Sequence, residues 1–284
     1  MFQEILIYGT LQGFILALLA LGFSLVYGVG GILNLAHGSF YLITCYVFFW
    51  SVPVFGIWGG MVMGLIVVVL IAAFTYLALI KPLQGTPVGV VLVTFAWNFF
   101  FVMLFNALMG NTPQGIKILW DASFEFLGVK IGGQHIILIV GSIILITLVL
   151  LFIKKTKLGK SIQAVSQDKE AAELMGINTS KIFLTVVIIS AVLAGSAVFL
   201  NSGDTFSPMT GWTFLLNAYA VTILGGMGSI VGSILGAFIM GYAITFTQFY
   251  PALGPEWGAV VPIIAIVIML LIRPRGLFGK KEVQ

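Results

Sequence analysis

The chain has 284 residues, 60% of them hydrophobic and 8% charged, with a formal net charge of +4 and a mean hydropathy of +1.17. Soluble domains carry about 25% charged residues, so a soluble fold is excluded. The apolar runs are continuous rather than ~10-residue alternating segments, which excludes a β-barrel. The expectation is an all-α, polytopic integral membrane helical bundle, because hydrocarbon offers no water to backbone N–H and C=O groups and a helix satisfies them internally.

The N-terminus, MFQEILIYG, has no basic n-region and no small-residue cleavage site, so no removed signal peptide is expected. At roughly 20 apolar residues per crossing, the runs predict about nine spans, near 5–27, 35–55, 58–80, 88–109, 135–153, 182–200, 213–224, 229–250 and 259–272. The whole chain, 1–284, reads as one transmembrane domain. The first apolar run gives way to GVGGILNLAHG at 28–38, and a second glycine-rich stretch, GGMGSIVGSILG, fills 225–236. Glycine costs a helix about 1 kcal/mol relative to alanine, so both stretches read as helix breaks. They stand near the start of each half of the chain, which hints at an internal duplication whose copies run the same way across the membrane. Two readings of these joints stand open. Broken helices expose backbone polar groups that build midplane solute pathways. Alternatively, small residues at Gly225, Ser229 and Ser233, and at Gly228, Gly232 and Gly236, form a ridge for close helix packing.

Polar, uncharged side chains are scattered through the spans: Thr44, Thr94, Asn98, Ser190, Asn217, Thr222, Thr245 and Gln248. Most serine and threonine groups in such helices bond back to their own helix. Asn98, within TFAWNFFFV, needs a partner inside the bundle, and Asn34 and His37 place two hydrogen-bonding side chains at the first break. The stretch FEFLGVKIGG, in the longest external loop at 110–134, alternates in the manner of a small hairpin. Cys45 stands alone in an apolar run, and the two histidines lack a third partner, so neither a disulfide nor a metal site nor a cofactor is expected.

Of the 13 basic residues, all but Lys117 and Lys130 fall at Lys81, in the segment 154–181, or in the tail with Arg273, Arg275, Lys280 and Lys281. That is a positive-inside signature rather than a nucleic-acid footprint. It places the segment 154–181 and the C-terminus inside and, with nine crossings, the N-terminus outside. Within 154–181 a short helix is predicted over 169–175. Asp168 is its N-cap, Glu170 lies in its first turn and Gly176 is suited to the left-handed conformation that ends it. Ala171, Leu174 and Met175 share a face, with the small Ala172 beside it. So short a helix is marginal alone and gains by inserting its face into a partner's groove.

No Asp, Glu, Lys or Arg falls inside an expected span, which counts against ion-coupled transport and voltage sensing. HExxH, GxSxG and Walker A motifs are missing, so no enzyme is expected. The segment QAVSQDKEAAELMGIN resembles the EAA-type coupling segment of ABC importer permeases. YGVGGILNLAHGSFYLI, ILGGMGSIVGSILGAFIMG and LIRPRGLFGKK together resemble the LivH type, permeases of branched-chain amino acid importers. The resemblance implies a subunit of a bacterial or archaeal inner membrane. It would pair with a second related permease, bind two cytoplasmic ATP-binding subunits that hydrolyse ATP, and receive solute from an extracytoplasmic binding protein. It carries coupling to Glu170, Ala171, Gly176 and Asn178, and the pathway to Asn34, Ala36, His37 and Gly38 and to Gly225, Gly226, Gly228 and Ser229. The family also includes amide and urea importers. A stand-alone channel or facilitator for a small neutral solute, such as urea or an amide, would explain the uncharged spans but leave the short helix at 169–175 without work.

Overall fold

The computed structural model describes every residue except 127, 251, 253, 274 and 280–284, so the basic tail residues Lys280 and Lys281 lie outside the described residues. Helix α1 (Phe2–Gly30) is the axis around which the others assemble, and every residue from 15 to 26 is buried. A helix apolar on all sides can be covered by lipid or by other helices, and here other helices cover it. Helices α9 (Ile230–Phe249) and α7 (Thr179–Leu200) supply most of that cover. Glycine sets the closeness of the α1–α9 contact. A Cβ at Gly13 would meet Phe238, and one at Gly241 would meet the backbone of Gly9 and Gly13. Where lipid is as apolar as leucine, such small residues drive association by letting backbones approach. The Thr10 and Tyr242 hydroxyls, 2.7 Å apart, fix the register of the pair.

After α1 the chain turns back into the bundle over 31–36. Helix α2 (His37–Phe74) therefore starts deep inside, beside Gly22 of α1 and Ser190 of α7. Its length hides a reversal. Gly56 has φ 70 and ψ 179, a region almost reserved for glycine, and the two limbs on either side fold together. Gly64 accordingly lies against Thr44, and Gly60 against Phe48 and Val52. The limbs 37–55 and 57–74 are the second and third expected spans. The second limb continues as a π-helical turn, Thr75–Ile80, and a 3-10 turn, Lys81–Leu83.

Helix α3 (Pro87–Met109) leads to an excursion in which β1 (Gln114–Gly115) is followed by the hairpin of β2 (Ser123–Phe126) and β3 (Val129–Gly132), paired antiparallel as its alternation predicts. Helix α4 (Gly133–Lys155) returns to the opposite end. There α5 (Lys157–Gln167) and α6 (Lys169–Leu174) precede α7. Strand β4 (Thr205–Phe206) pairs antiparallel with β1 and joins the two excursions at one end of the bundle. Helix α8 (Thr210–Gly225), then α9, a 3-10 turn (Pro255–Ala259) and α10 (Val261–Ile272) complete the order. Among the described residues six helices are long and apolar enough to cross a membrane. Each of the nine expected spans falls on one helix or one limb of α2, but α8 has 16 residues and α10 has 12, fewer than the ~20 a full crossing needs.

The bundle has two distinct ends. The first turns of α1 share one end with α4's start, where the Tyr8 and His135 rings lie 6.0 Å apart. The last turn of α1, the 81–83 turn, α5, α6 and the tail segment 275–279 occupy the other end.

The α1–α9 contact makes a stability prediction. Gly241→Leu would force backbone against backbone, where no rotamer change gives relief. Overpacking of this kind costs about 1–3 kcal/mol or more. The purified variant should melt several degrees lower than the parent protein, and an unchanged midpoint would mean the two helices are not in close register.

Candidate functional site

The first glycine-rich joint is a knot of short hydrogen bonds. Gly31 N–H donates to Tyr27 O at 2.7 Å and closes α1. Asn34 Oδ1 accepts from Ala36 N–H at 3.1 Å, and Leu35 N–H donates to Thr94 Oγ1 of α3 at 3.1 Å. His37 Nδ1 and Ser190 Oγ of α7 are 2.9 Å apart. Gly38 is so close to the carbonyl of Gly211 on α8 and to Asn98 Oδ1 that no side chain fits there. Four helices therefore meet at the start of α2, and Asn34, His37 and Asn98 are drawn together from distant parts of the sequence.

This cluster is buried and only half satisfied. Asn34, His37 and Asn98 are 3%, 1% and 0% exposed. Among the described residues, Asn34 Nδ2 and both amide atoms of Asn98 have no hydrogen-bond partner. Thr44, Thr94 and Thr222 do bond back to carbonyls of their own helices, at 2.8 Å each. The expectation that Asn98 finds a partner within the bundle is corrected: it lies inside the bundle but pairs with no side chain. What the cluster presents is uncharged hydrogen-bonding capacity in an apolar interior.

Gly225, Gly226, Gly228 and Ser229 do not join it. The expected helix break falls at 226–229, because α8 ends at Gly225 and α9 starts at Ile230. The small residues instead pack helix against helix, with Gly232 and Gly236 of α9 on Gly225 of α8. Ser229 Oγ caps α9 by accepting from Gly232 N–H at 3.1 Å. The tail covers the break: Leu277 and Phe278 N–H groups donate to Leu224 and Gly225 carbonyls at 2.9 and 3.0 Å. The two joints do touch, at Gly28 and Gly228, whose backbones leave only van der Waals room between them.

The segment 154–181 holds more structure than one short helix. Thr156 Oγ1 caps α5 by accepting from Gly159 N–H at 2.9 Å, and α5 turns its Ile162 and Val165 inward. Sequence reading passed over α5 because only these two residues mark its apolar face among lysines and glutamines. Asp168 Oδ1 caps α6 by accepting from Ala171 N–H at 2.9 Å, and Gly176 has φ 81. Asn178 Oδ1 then caps α7 at Lys181 N–H, 3.0 Å away. Leu174 and Met175 stand 88% and 83% exposed, whereas Ala172 is buried against the protein itself. Glu170 and Ala171 are exposed beside Leu174. The face offered outward is thus Glu170, Ala171, Leu174 and Met175, with Ala172 as its anchor rather than its neighbour.

The amide of Asn98 makes a direct prediction. A buried polar group without a partner costs about 1–3 kcal/mol, and leucine keeps the same branched shape without the polar atoms. Asn98→Leu should raise the melting temperature of the purified protein, and a fall would show that the amide has a partner.

The sequence profile described as "Branched-chain amino acid transport system / permease component" matches residues 5–270. The BraD permease protein of a high-affinity branched-chain amino acid transport system from Pseudomonas aeruginosa is 29% identical, with 98% of this chain and 96% of that protein covered. The LivH permease protein of Escherichia coli K12 is 26% identical over 100% of this chain and 97% of its own. The LivM permease protein of Salmonella typhimurium is 27% identical, covering 94% of this chain and 68% of that protein. Among solved structures, PsaBC from Streptococcus pneumoniae in complex with Fab shares the fold, with a TM-score of 0.51 at 13% identity, covering 96% of this chain and 93% of that one. A full-length match to the profile, on a helical bundle with broken helices, decides the family: this chain belongs to the permease components of branched-chain amino acid transport systems.

Proposed function

We propose that the chain acts as one transmembrane domain of an ATP-binding cassette importer for branched-chain or similarly apolar amino acids. A second related permease completes its pathway; that both a LivH and a LivM permease protein match this chain supports a paired arrangement. Two cytoplasmic subunits bind and hydrolyse ATP, and an extracytoplasmic binding protein delivers the solute. The end carrying α5, α6 and the tail faces the cytoplasm, and the first turns of α1 face outward. Asn34, His37 and Asn98 contribute to the pathway as neutral hydrogen-bonding groups. Gly225, Gly226, Gly228 and Ser229 support it by fixing how α8 and α9 meet.

The observation that carries this reading is α6. Six residues long, capped at both ends, it holds Leu174 and Met175 almost fully in solvent. An isolated turn of helix has no stability to spend on exposing two large apolar side chains unless a partner covers them. Glu170 and Ala171 share the outward face, so we assign Glu170, Ala171 and Gly176 to ATPase coupling, with Ala172 and Asn178 holding the helix in place.

Gly176 separates backbone geometry from contact. Nothing lies within 4 Å of a Cβ placed there, so any penalty is conformational. At φ 81 a β-branched residue loses about 1–2 kcal/mol, while asparagine tolerates the region far better. Gly176→Val should therefore reduce co-purification of the ATP-binding subunits and leucine uptake at least fivefold, and Gly176→Asn should keep most of both. Equal behaviour of the two variants would remove the coupling role. Leucine transport by the chain alone, purified into liposomes, would favour a self-contained channel instead.

A further inference from the structure

The docking helix and the polar cluster lie at different depths, and one side chain bridges them. Helix α6 is tied to the first turn of α7 by Thr179 Oγ1, which donates to Glu173 Oε1 at 2.6 Å, and its own end is closed by Ile177 N–H donating to Ala172 O at 3.0 Å. A push on α6 is thus carried into α7. On the inner side of α7's first turns stands Phe183, 5% exposed. Its ring lies directly on Gly30, where even a Cβ would collide with it. Gly30 is the last residue of α1, followed at once by the segment 31–36 that carries Asn34 and leads to His37.

We propose that Phe183 is the positioning residue through which displacement of α6 reaches the 31–37 segment. The proposal rests on α6 being the docking helix. The contact is ring against backbone, so a shift of Phe183 cannot be absorbed by a rotamer change at Gly30. The ring is also backed from the other side. Tyr76 packs against it at a tilt of 38° with centroids 5.2 Å apart, and the Tyr76 hydroxyl is held by Ser180 Oγ at 2.9 Å and Gln84 Nε2 at 3.3 Å. Tyr76 sits in the π-helical turn Thr75–Ile80, an irregularity that recurs at functional positions. A cleft of about 40 Å³, lined by Gly30, Ile32, Lys169, Thr179 and Phe183 among others, leaves room for α6 and the joint to approach each other.

The test compares Phe183→Ala with Phe199→Ala in complexes purified from native membranes. Phe199 is an equally buried ring on α7, packed on Phe48 at 5.1 Å near the opposite end. Both lose the same core volume. Phe183→Ala should keep its ATP-binding subunits and its ATP hydrolysis while leucine uptake per ATP falls at least fivefold. Phe199→Ala should leave that ratio within twofold of the parent, and Phe183→Tyr, which keeps the ring, should restore it. Independently of any ATPase, backbone amides at 31–36 should exchange hydrogen at least threefold faster in Phe183→Ala and at the parent rate in Phe199→Ala. An unchanged uptake ratio in an intact Phe183→Ala complex, or unchanged exchange at 31–36, would overturn the relay. If the parent protein purifies without ATP-binding subunits, the docking reading fails, and hydrogen exchange alone decides whether Phe183 controls the joint.

Discussion

Every feature of this bundle answers to the absence of water around its backbone. A continuous helix satisfies its own N–H and C=O groups, but each break leaves up to four orphans of each kind. At the first break Thr94 Oγ1 and Asn34 Oδ1 accept from Leu35 and Ala36 N–H groups, and the Gly31 N–H returns to Tyr27 O. At the second break the donors come from 50 residues downstream: Leu277 and Phe278 N–H groups reach Leu224 and Gly225 carbonyls. The tail is thus a structural part of α8's C-terminus, which explains how a helix of 16 residues can end inside the assembly.

The two breaks were legible as glycine clusters, but their partners were not. Hydropathy and glycine content mark where a helix stops, and the charge distribution separates loops from spans. They do not say which side chain closes the gap, because Thr94 and Leu277 look like ordinary residues of an apolar helix and a tail. The reversal at Gly56 was visible only as a short gap between apolar runs; the φ of 70 that makes it possible belongs to tertiary context. Helix α5 was missed for the opposite reason. Its apolar face is only Ile162 and Val165, and its fold depends on packing back onto α4, where Gln163 Nε2 donates to Ile153 O at 3.0 Å.

The caps of α6 were the most legible part of the candidate site, since capping is local chemistry. Asp168, Gly176 and Asn178 take the backbone positions their types favour. The side-chain face was less so. Helical spacing groups Ala171 with Leu174 and Met175, but whether Ala172 looks outward or inward depends on where α7 lies, and it is buried at 4% exposure. Phe183 gave no signal at all, being one phenylalanine among 24; only its seat on Gly30 distinguishes it.

The two joints resemble each other in sequence and touch at Gly28 and Gly228, yet they are finished differently. In the second, backbone groups are closed by the tail and the glycines by neighbouring backbone, leaving no space for movement without breaking hydrogen bonds. In the first, Asn34 Nδ2 has no partner among the described residues in a buried setting. Unpaired buried polar groups are costly. The tail closes the second break, while the 31–37 segment rests at one end on Phe183 and at the other carries His37 into the centre of the bundle.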